Sequence, residues 1–185
     1  MKWDFSAVSA AGEPEQIRGN LYDYINSRIR AFAGYYRDYL ADEIRINQNN
    51  AQDSFQSMLN AIQQADYRLY LLIDEYDNFA NEVMMGTREI SRERYKALVY
   101  GEGCVKALFK VVKSASTGLD RAFITGVSPV VMSDITSGHN IAENIYLMPE
   151  FNDLCGFRES EVDNMLEKIS ELCKLPAEKK QKLLI

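Results

Sequence analysis

The chain has 185 residues, with 21 Lys and Arg against 27 Asp and Glu, a formal net charge of −6. Hydrophobic residues make up 46% and charged ones 26%, a balance that supports a buried core and excludes wholesale disorder. The acidic balance argues against a surface built throughout to hold nucleic acid, and no apolar run approaches the roughly 20 residues that span a bilayer.

Residues 2–5 read as a short strand, followed by a small-residue loop. Pro14 opens a helix, where a proline in the first turn loses no hydrogen bond. Ile17, Leu21, Tyr24, Ile25, Ile29, Phe32, Tyr36, Tyr39 and Leu40 recur at helical spacing and predict one apolar stripe to about residue 40. Gly19 and Gly34 weaken this helix by about 1 kcal/mol each relative to alanine. Residues 46–52 are a polar loop. Asp53 and Gln56 resemble a capping box ahead of a second helix whose buried face is Phe55, Met58, Leu59 and Ile62.

Residues 68–73 form a continuous apolar run that stops at Asp74-Glu75, a pattern that suits a central strand buried on both faces. A long helix is predicted over 91–114, with Val105, Leu108, Phe109 and Val112 inward. Lys106, Lys110 and Lys113 lie on another face, as an anion-binding stripe or a solvated one. Residues 120–127 read as a second buried-type strand, and 144–148 as a further short one stopped by Pro149. The last helix carries Val162, Met165, Leu166, Ile169 and Leu172 inward. The tail 174–185, with four lysines and one glutamate, reads as a basic tail or the start of a following segment, which leaves 1–173 as the domain. Strands alternating with helices imply an α/β fold with a mainly parallel sheet, in which ligands sit beyond the carboxyl ends of the strands.

Cys104, Cys155 and Cys173 are widely spaced, and the single His139 cannot complete an ordinary zinc set with them. They read as reduced, mostly buried thiols of a cytoplasmic protein. The opening Met-Lys-Trp-Asp-Phe-Ser has no apolar stretch of the secretory type.

An apolar strand ending in Asp-Glu serves nucleoside-triphosphate hydrolysis when one carboxylate supports Mg²⁺ and the other orients the attacking water. It serves equally as a strand-to-helix junction in which an acid caps the next helix. The wider series narrows this choice. Leu72-Ile73-Asp74-Glu75-Tyr76-Asp77, Phe123-Ile124-Thr125-Gly126-Val127-Ser128, Ser137-Gly138-His139-Asn140 and Leu154-Cys155-Gly156-Phe157 occur in that order after an opening Trp3-Asp4-Phe5-Ser6. Together they resemble the AAA-ATPase-like family of P-loop proteins, a module that in many members precedes a PD-(D/E)xK nuclease-like domain.

The resemblance implies a three-layer P-loop fold that acts on ATP with Mg²⁺. Asp74 matches the Walker B acid that supports the metal, and Glu75 the acid that handles water. Thr125 holds the sensor-like position, with Ser128 in the turn after it, as nucleotide-binding residues. Asp77 matches the last acid of the motif, as a supporting residue or a helix cap.

Three departures stand out. Asn78-Phe79 replaces the family's Lys-Pro. Arg158 replaces the threonine that would cap the last helix; since arginine has no acceptor, Arg158→Thr is expected to stabilise the chain by about 1 kcal/mol. No Gly-Lys-Ser/Thr phosphate loop occurs in the sequence. Lys2, without a strand-glycine-loop-helix unit around it, does not replace that loop.

The expectation is therefore the distal part of a P-loop domain, with its Walker A strand missing and residues 123–127 left along an open sheet edge. ATP turnover is expected only with an upstream Walker A segment. The alternative is a non-catalytic interaction or self-association module on the same scaffold. Nucleic acid enters only through a following nuclease-like domain.

Overall fold

The computed structural model describes residues 1–40, 42–84, 94–98, 103–115, 118–127, 143–145, 148–154 and 156–173. Contacts divide the chain into two units, Met1–Ile141 and Ala142–Ile185. The first unit is α/β. Its elements are β1 (Lys2–Asp4), α1 (Pro14–Tyr35), α2 (Ala51–Gln64), β2 (Leu69–Asp74), α3 (Tyr76–Met84), α4 (Cys104–Ser114) and β3 (Leu119–Ile124). Short 3-10 turns lie at Phe5–Ala7 and Arg37–Tyr39. The three strands are all parallel in the order β1-β2-β3, with Lys2 opposite Leu72, Asp4 opposite Asp74, and Leu72 opposite Phe123.

Strand parity decides what the sheet buries. Trp3, Leu69, Leu71 and Ile73 point into one core with Ile17, Leu21, Ile25 and Ile29 of α1, Phe55, Met58, Leu59 and Ile62 of α2, Phe79 of α3 and Phe109 of α4. Removing such side chains from water is the main favourable term, at about 1.5–3 kcal/mol each. Trp3 meets the edge of Phe55 at a centroid distance of 4.9 Å. Its indole N–H has no hydrogen-bond partner among the described residues, an unmade bond that costs about 1–3 kcal/mol.

The opposite parity stays in water. Tyr70, Leu72 and Phe123 are 58%, 46% and 43% exposed. The run 68–73 is therefore buried on one face only, not on both. Residues 120–124 are mostly exposed rather than buried, because β3 is an edge strand with described neighbours on one side alone. The parallel α/β sheet agrees with the expectation, and among the described residues the helices pack on a single face.

Local boundaries also shift for identifiable reasons. Pro14 is the first residue of α1, as predicted, but the helix ends at Tyr35, and Tyr36 and Tyr39 are exposed instead of continuing the stripe. Helix α2 starts earlier than Asp53: Asn50 is its N-cap, accepting from the Gln52 N–H at 3.1 Å, while Asp53 accepts from Asn47 at 3.0 Å. The helix predicted over 91–114 is interrupted. Residues 94–98 are helical, then Gly103 is extended (φ −57°, ψ 152°) and α4 begins afresh at Cys104.

The second unit contains a 3-10 turn at Pro149–Phe151 and α5 (Glu159–Cys173), whose apolar positions Met165, Ile169 and Leu172 are exposed. The strand expected at 144–148 is absent from its described residues, and its positions 146–147 lie outside them. Residues 137–140, Cys155 and the tail 174–185 also lie outside them. Cys104 is buried, and burial pushes its thiol up to about 11. Cys173 is exposed, contrary to the expected burial.

Candidate functional site

The carboxyl ends of the strands bring the predicted acids to one place. Asp74 is the last residue of β2, on the sheet face that carries Leu72 and, across the ladder, Lys2 and Asp4. Its carboxylate is engaged on both oxygens. One takes the Lys2 ammonium at 2.7 Å, and the other accepts from the Thr125 hydroxyl. Lys2 also reaches Asp4 at 3.4 Å, so one ammonium sits between two carboxylates. Asp4 in turn accepts from the Ser6 hydroxyl at 2.6 Å and the Ser6 N–H at 3.2 Å. The Lys2 ammonium, then the Thr125 hydroxyl, hold the Asp74 carboxyl below its ordinary range. The hydrogen bond to Asp74 holds Lys2 above its own. The Ser6 hydroxyl has the larger part in lowering Asp4.

Glu75 follows in the left-handed region, at φ 50°. A residue with a side chain pays about 1 kcal/mol or more for that conformation, which turns the chain from β2 into α3. The Glu75 side chain is exposed. Its carbonyl accepts from the Asn78 N–H at 3.1 Å, closing the first turn of the helix.

Asp77 is buried and points back at the turn after β3, where it accepts from the Val127 N–H at 2.9 Å. The same turn is stitched to β2 and α3 by backbone bonds, Thr125 N–H to Ile73 at 2.8 Å and Tyr76 N–H to Thr125 at 3.3 Å. These bonds set Thr125 beside Asp74. Gly126 lies so close to α3 that a Cβ there would overlap the Tyr76 ring and stand 2.6 Å from Asp77 Oδ1. Ser128 lies outside the described residues.

Asp74, Asp77 and Thr125 thus share one cluster, with Glu75 at its edge. Sequence reasoning missed Lys2 and Asp4 as partners of Asp74. Their signal was the i, i+2 spacing that puts both on one strand face, but its meaning depends on the register with β2.

Both Asp74 oxygens are engaged, the positive charge beside them belongs to Lys2, and no group of three or more His, Cys, Asp or Glu could hold a metal ion among the described residues. A groove of about 390 Å³ lies at the other end of β2, against Leu69 and Tyr70, and does not include Asp74.

Among the described residues, no helix is long and apolar enough to cross a membrane. No curated protein and no solved structure matches the chain. A family model described as predicted AAA-ATPase matches residues 1–136, well over half of the sequence, and the chain belongs to this AAA-ATPase-like family.

Proposed function

We propose that these residues form the Walker B and sensor side of an ATPase site, which turns over ATP when a phosphate-binding loop is supplied to it. The observation that carries this reading is Asp74 at the carboxyl end of the middle strand, accepting from Thr125 on the neighbouring strand and followed at once by Glu75. Family membership supports it.

In this reading Asp74 faces the cation of Mg·ATP, and Lys2 leaves it when the substrate arrives. Glu75 takes up or orients the proton of the attacking water, a role its solvent exposure permits. Thr125, pinned by Ile73 and Asp74, detects the terminal phosphate. Asp77 positions this residue through the Val127 N–H. Ser128 belongs to the same nucleotide-binding turn.

The phosphates themselves need backbone N–H groups and a lysine, and the sequence holds no Gly-Lys-Ser/Thr to supply them. Without them the carboxylates repel a polyanion. Calorimetry with Mg·ATP is therefore expected to show no tight binding by the 185 residues, and submicromolar binding would overturn the reading. A chain carrying a Gly-Lys-Ser/Thr loop ahead of Met1 is expected to hydrolyse ATP, with Glu75→Gln abolishing turnover.

A second reading is a non-catalytic self-association module. The exposed face around Leu72 and Phe123 favours it, since a parallel edge that no described residue pairs, with apolar side chains beside it, is a template for another strand. Sedimentation equilibrium of the 185-residue chain separates the two: a concentration-dependent dimer abolished by Phe123→Lys supports self-association.

A further inference from the structure

Asp4 and Asp74 are built alike. They stand opposite each other on β1 and β2. Asp4 Oδ1 accepts from the Ser6 hydroxyl at 2.6 Å and the Ser6 N–H at 3.2 Å, and Asp74 Oδ1 accepts from the Thr125 hydroxyl. Each carboxylate is thus anchored through one oxygen by a hydroxyl, and each turns its second oxygen toward Lys2. The Lys2 ammonium lies 2.7 Å from Asp74 Oδ2 and 3.4 Å from Asp4 Oδ2.

The backbone under this lysine is fixed while its side chain is free to turn. The Leu72 N–H donates to the Met1 carbonyl at 2.9 Å, Arg28 Nε donates to the Lys2 carbonyl at 3.1 Å, and the Asp4 N–H donates to the Tyr24 hydroxyl at 2.7 Å. The Lys2, Asp4 and Asp74 side chains are 46%, 36% and 37% exposed, so water reaches all three. A turn about the end of the flexible four-carbon stem exchanges one aspartate for the other. Exposed ion pairs of this kind are weak, so the exchange is close to balanced.

We propose that Lys2 is a movable counter-ion of Asp74, and that Asp4 is the positioning residue that receives it when a divalent cation approaches. The proposal rests on the ATPase reading and adds the regulation of that site by two residues outside its Walker B and sensor positions. Magnesium takes one or two carboxylates and keeps several waters, and Asp74 Oδ2 already faces a cation in the form of the Lys2 ammonium. At equal distance a divalent ion is attracted twice as strongly as an ammonium. Asp4 lets the lysine yield without losing its last carboxylate. With Asp4 gone, Lys2 would have Asp74 as its one remaining carboxylate of the two and would hold the site closed.

The test uses the 185-residue chain with Mn²⁺ as the probe, and reads paramagnetic broadening of the Asp4, Asp74 and Thr125 amides against concentration. Lys2→Met is expected to tighten Mn²⁺ binding about tenfold, by removing a competing cation. At about 0.15 M salt, Asp4→Asn is expected to weaken it about tenfold in the parent but only about threefold in the Lys2→Met background, the share that screened Coulomb attraction supplies by itself. Equal factors in the two backgrounds would make Asp4 a simple ligand and overturn the proposal, as would unchanged binding in Lys2→Met.

A measurement on the unaltered chain decides the matter even if a variant fails to fold. The hydrogen-bond coupling from Lys2 Nζ to the Asp74 carboxyl carbon is expected to give way to one with the Asp4 carboxyl carbon as Mg²⁺ is added. Persistence of the first coupling at saturating Mg²⁺ would overturn the switch. Broadening at Asp74 that does not depend on Lys2 removes the switch and leaves the ATPase reading standing. Broadening centred away from Asp74 in every chain overturns both.

Discussion

Replacing Gly126 by alanine puts a methyl group into space already taken by α3. The added Cβ would overlap the Tyr76 ring, whose Cδ1 would lie 2.7 Å away, and would stand 2.6 Å from Asp77 Oδ1. Neither group can swing clear cheaply. Tyr76 is buried, and the Asp77 carboxylate is buried and held by the Val127 N–H. Overpacking of this kind costs about 1–3 kcal/mol. At about 2 kcal/mol, a chain of this size should melt roughly 4–8 °C lower. The turn after β3 should also come loose, exposing the Val127 amide to hydrogen exchange.

Gly19 supplies the opposite case within the same protein. It sits inside α1 with open space where a Cβ would go, nothing lying within 4 Å of that position, so Gly19→Ala adds helix propensity without a clash. It should stabilise by about 1 kcal/mol and raise the melting temperature by roughly 2–4 °C. Circular dichroism melts of the two variants, with exchange at Val127 measured by mass spectrometry, test both signs together. Gly126→Ala melting at or above the parent, with Gly19→Ala raised as expected, would refute the packing of the β3 turn against α3.

Arg158→Thr should raise the stability of α5. Arg158 already accepts the Val162 N–H at 3.1 Å through its carbonyl and donates its N–H to Glu161 Oε2 at 2.9 Å, half of a capping box that a threonine hydroxyl would complete. The exposed pair with Asp153 at 3.0 Å is lost, a few tenths of a kcal/mol, so the net gain in a denaturant melt is about 0.5–1 kcal/mol. An unchanged or lower midpoint counts against this cap. Lys2→Met should lower stability in a pH-dependent way. Asp74 is held below 3.8, so its contribution is present above that value and fades as pH falls through the lowered folded value. Lys2 is held above 10.5, so its contribution is present below that value and fades as pH rises through the raised folded value. The gap between parent and variant in urea midpoint should be widest between these limits and close at both ends. A gap constant with pH would mean that Lys2 acts through packing alone.

Much of this architecture follows from short-range signals. Pro14, the apolar positions of α1 from Ile17 to Ile29, and the inward face of α2 are visible as period and punctuation, because each records a local preference that packing reinforces. The Asp74-Glu75 step was visible too, since an abrupt change from apolar to acidic marks a strand end. Tertiary context decided the rest. Leu72 and Phe123 read as buried because hydrophobicity alone cannot tell which side of a sheet is covered, and here their side is open. Asn50 outcompeted Asp53 as the cap because its side chain reaches the Gln52 N–H, a distance no spacing rule reveals. The Lys2 contact with Asp74 depends on a register between strands about seventy residues apart, and the close approach of Gly126 to α3 is a tertiary contact that no local spacing marks.

The all-parallel ladder also dictates an order of assembly. Lys2 pairs with Leu72 and Leu72 with Phe123, so no strand finds its neighbour within a hairpin's reach. Each pairing must wait for an intervening stretch that contains α1 and α2, or α3 and α4, to be synthesised and drawn in. On a ribosome β1 emerges before β2 and cannot pair with it until β2 has left the exit tunnel, while α1 and α2 can already pack on each other. High contact order of this kind slows folding, and the interval during which Trp3 and Phe5 wait in water is set by the distance along the chain to β2.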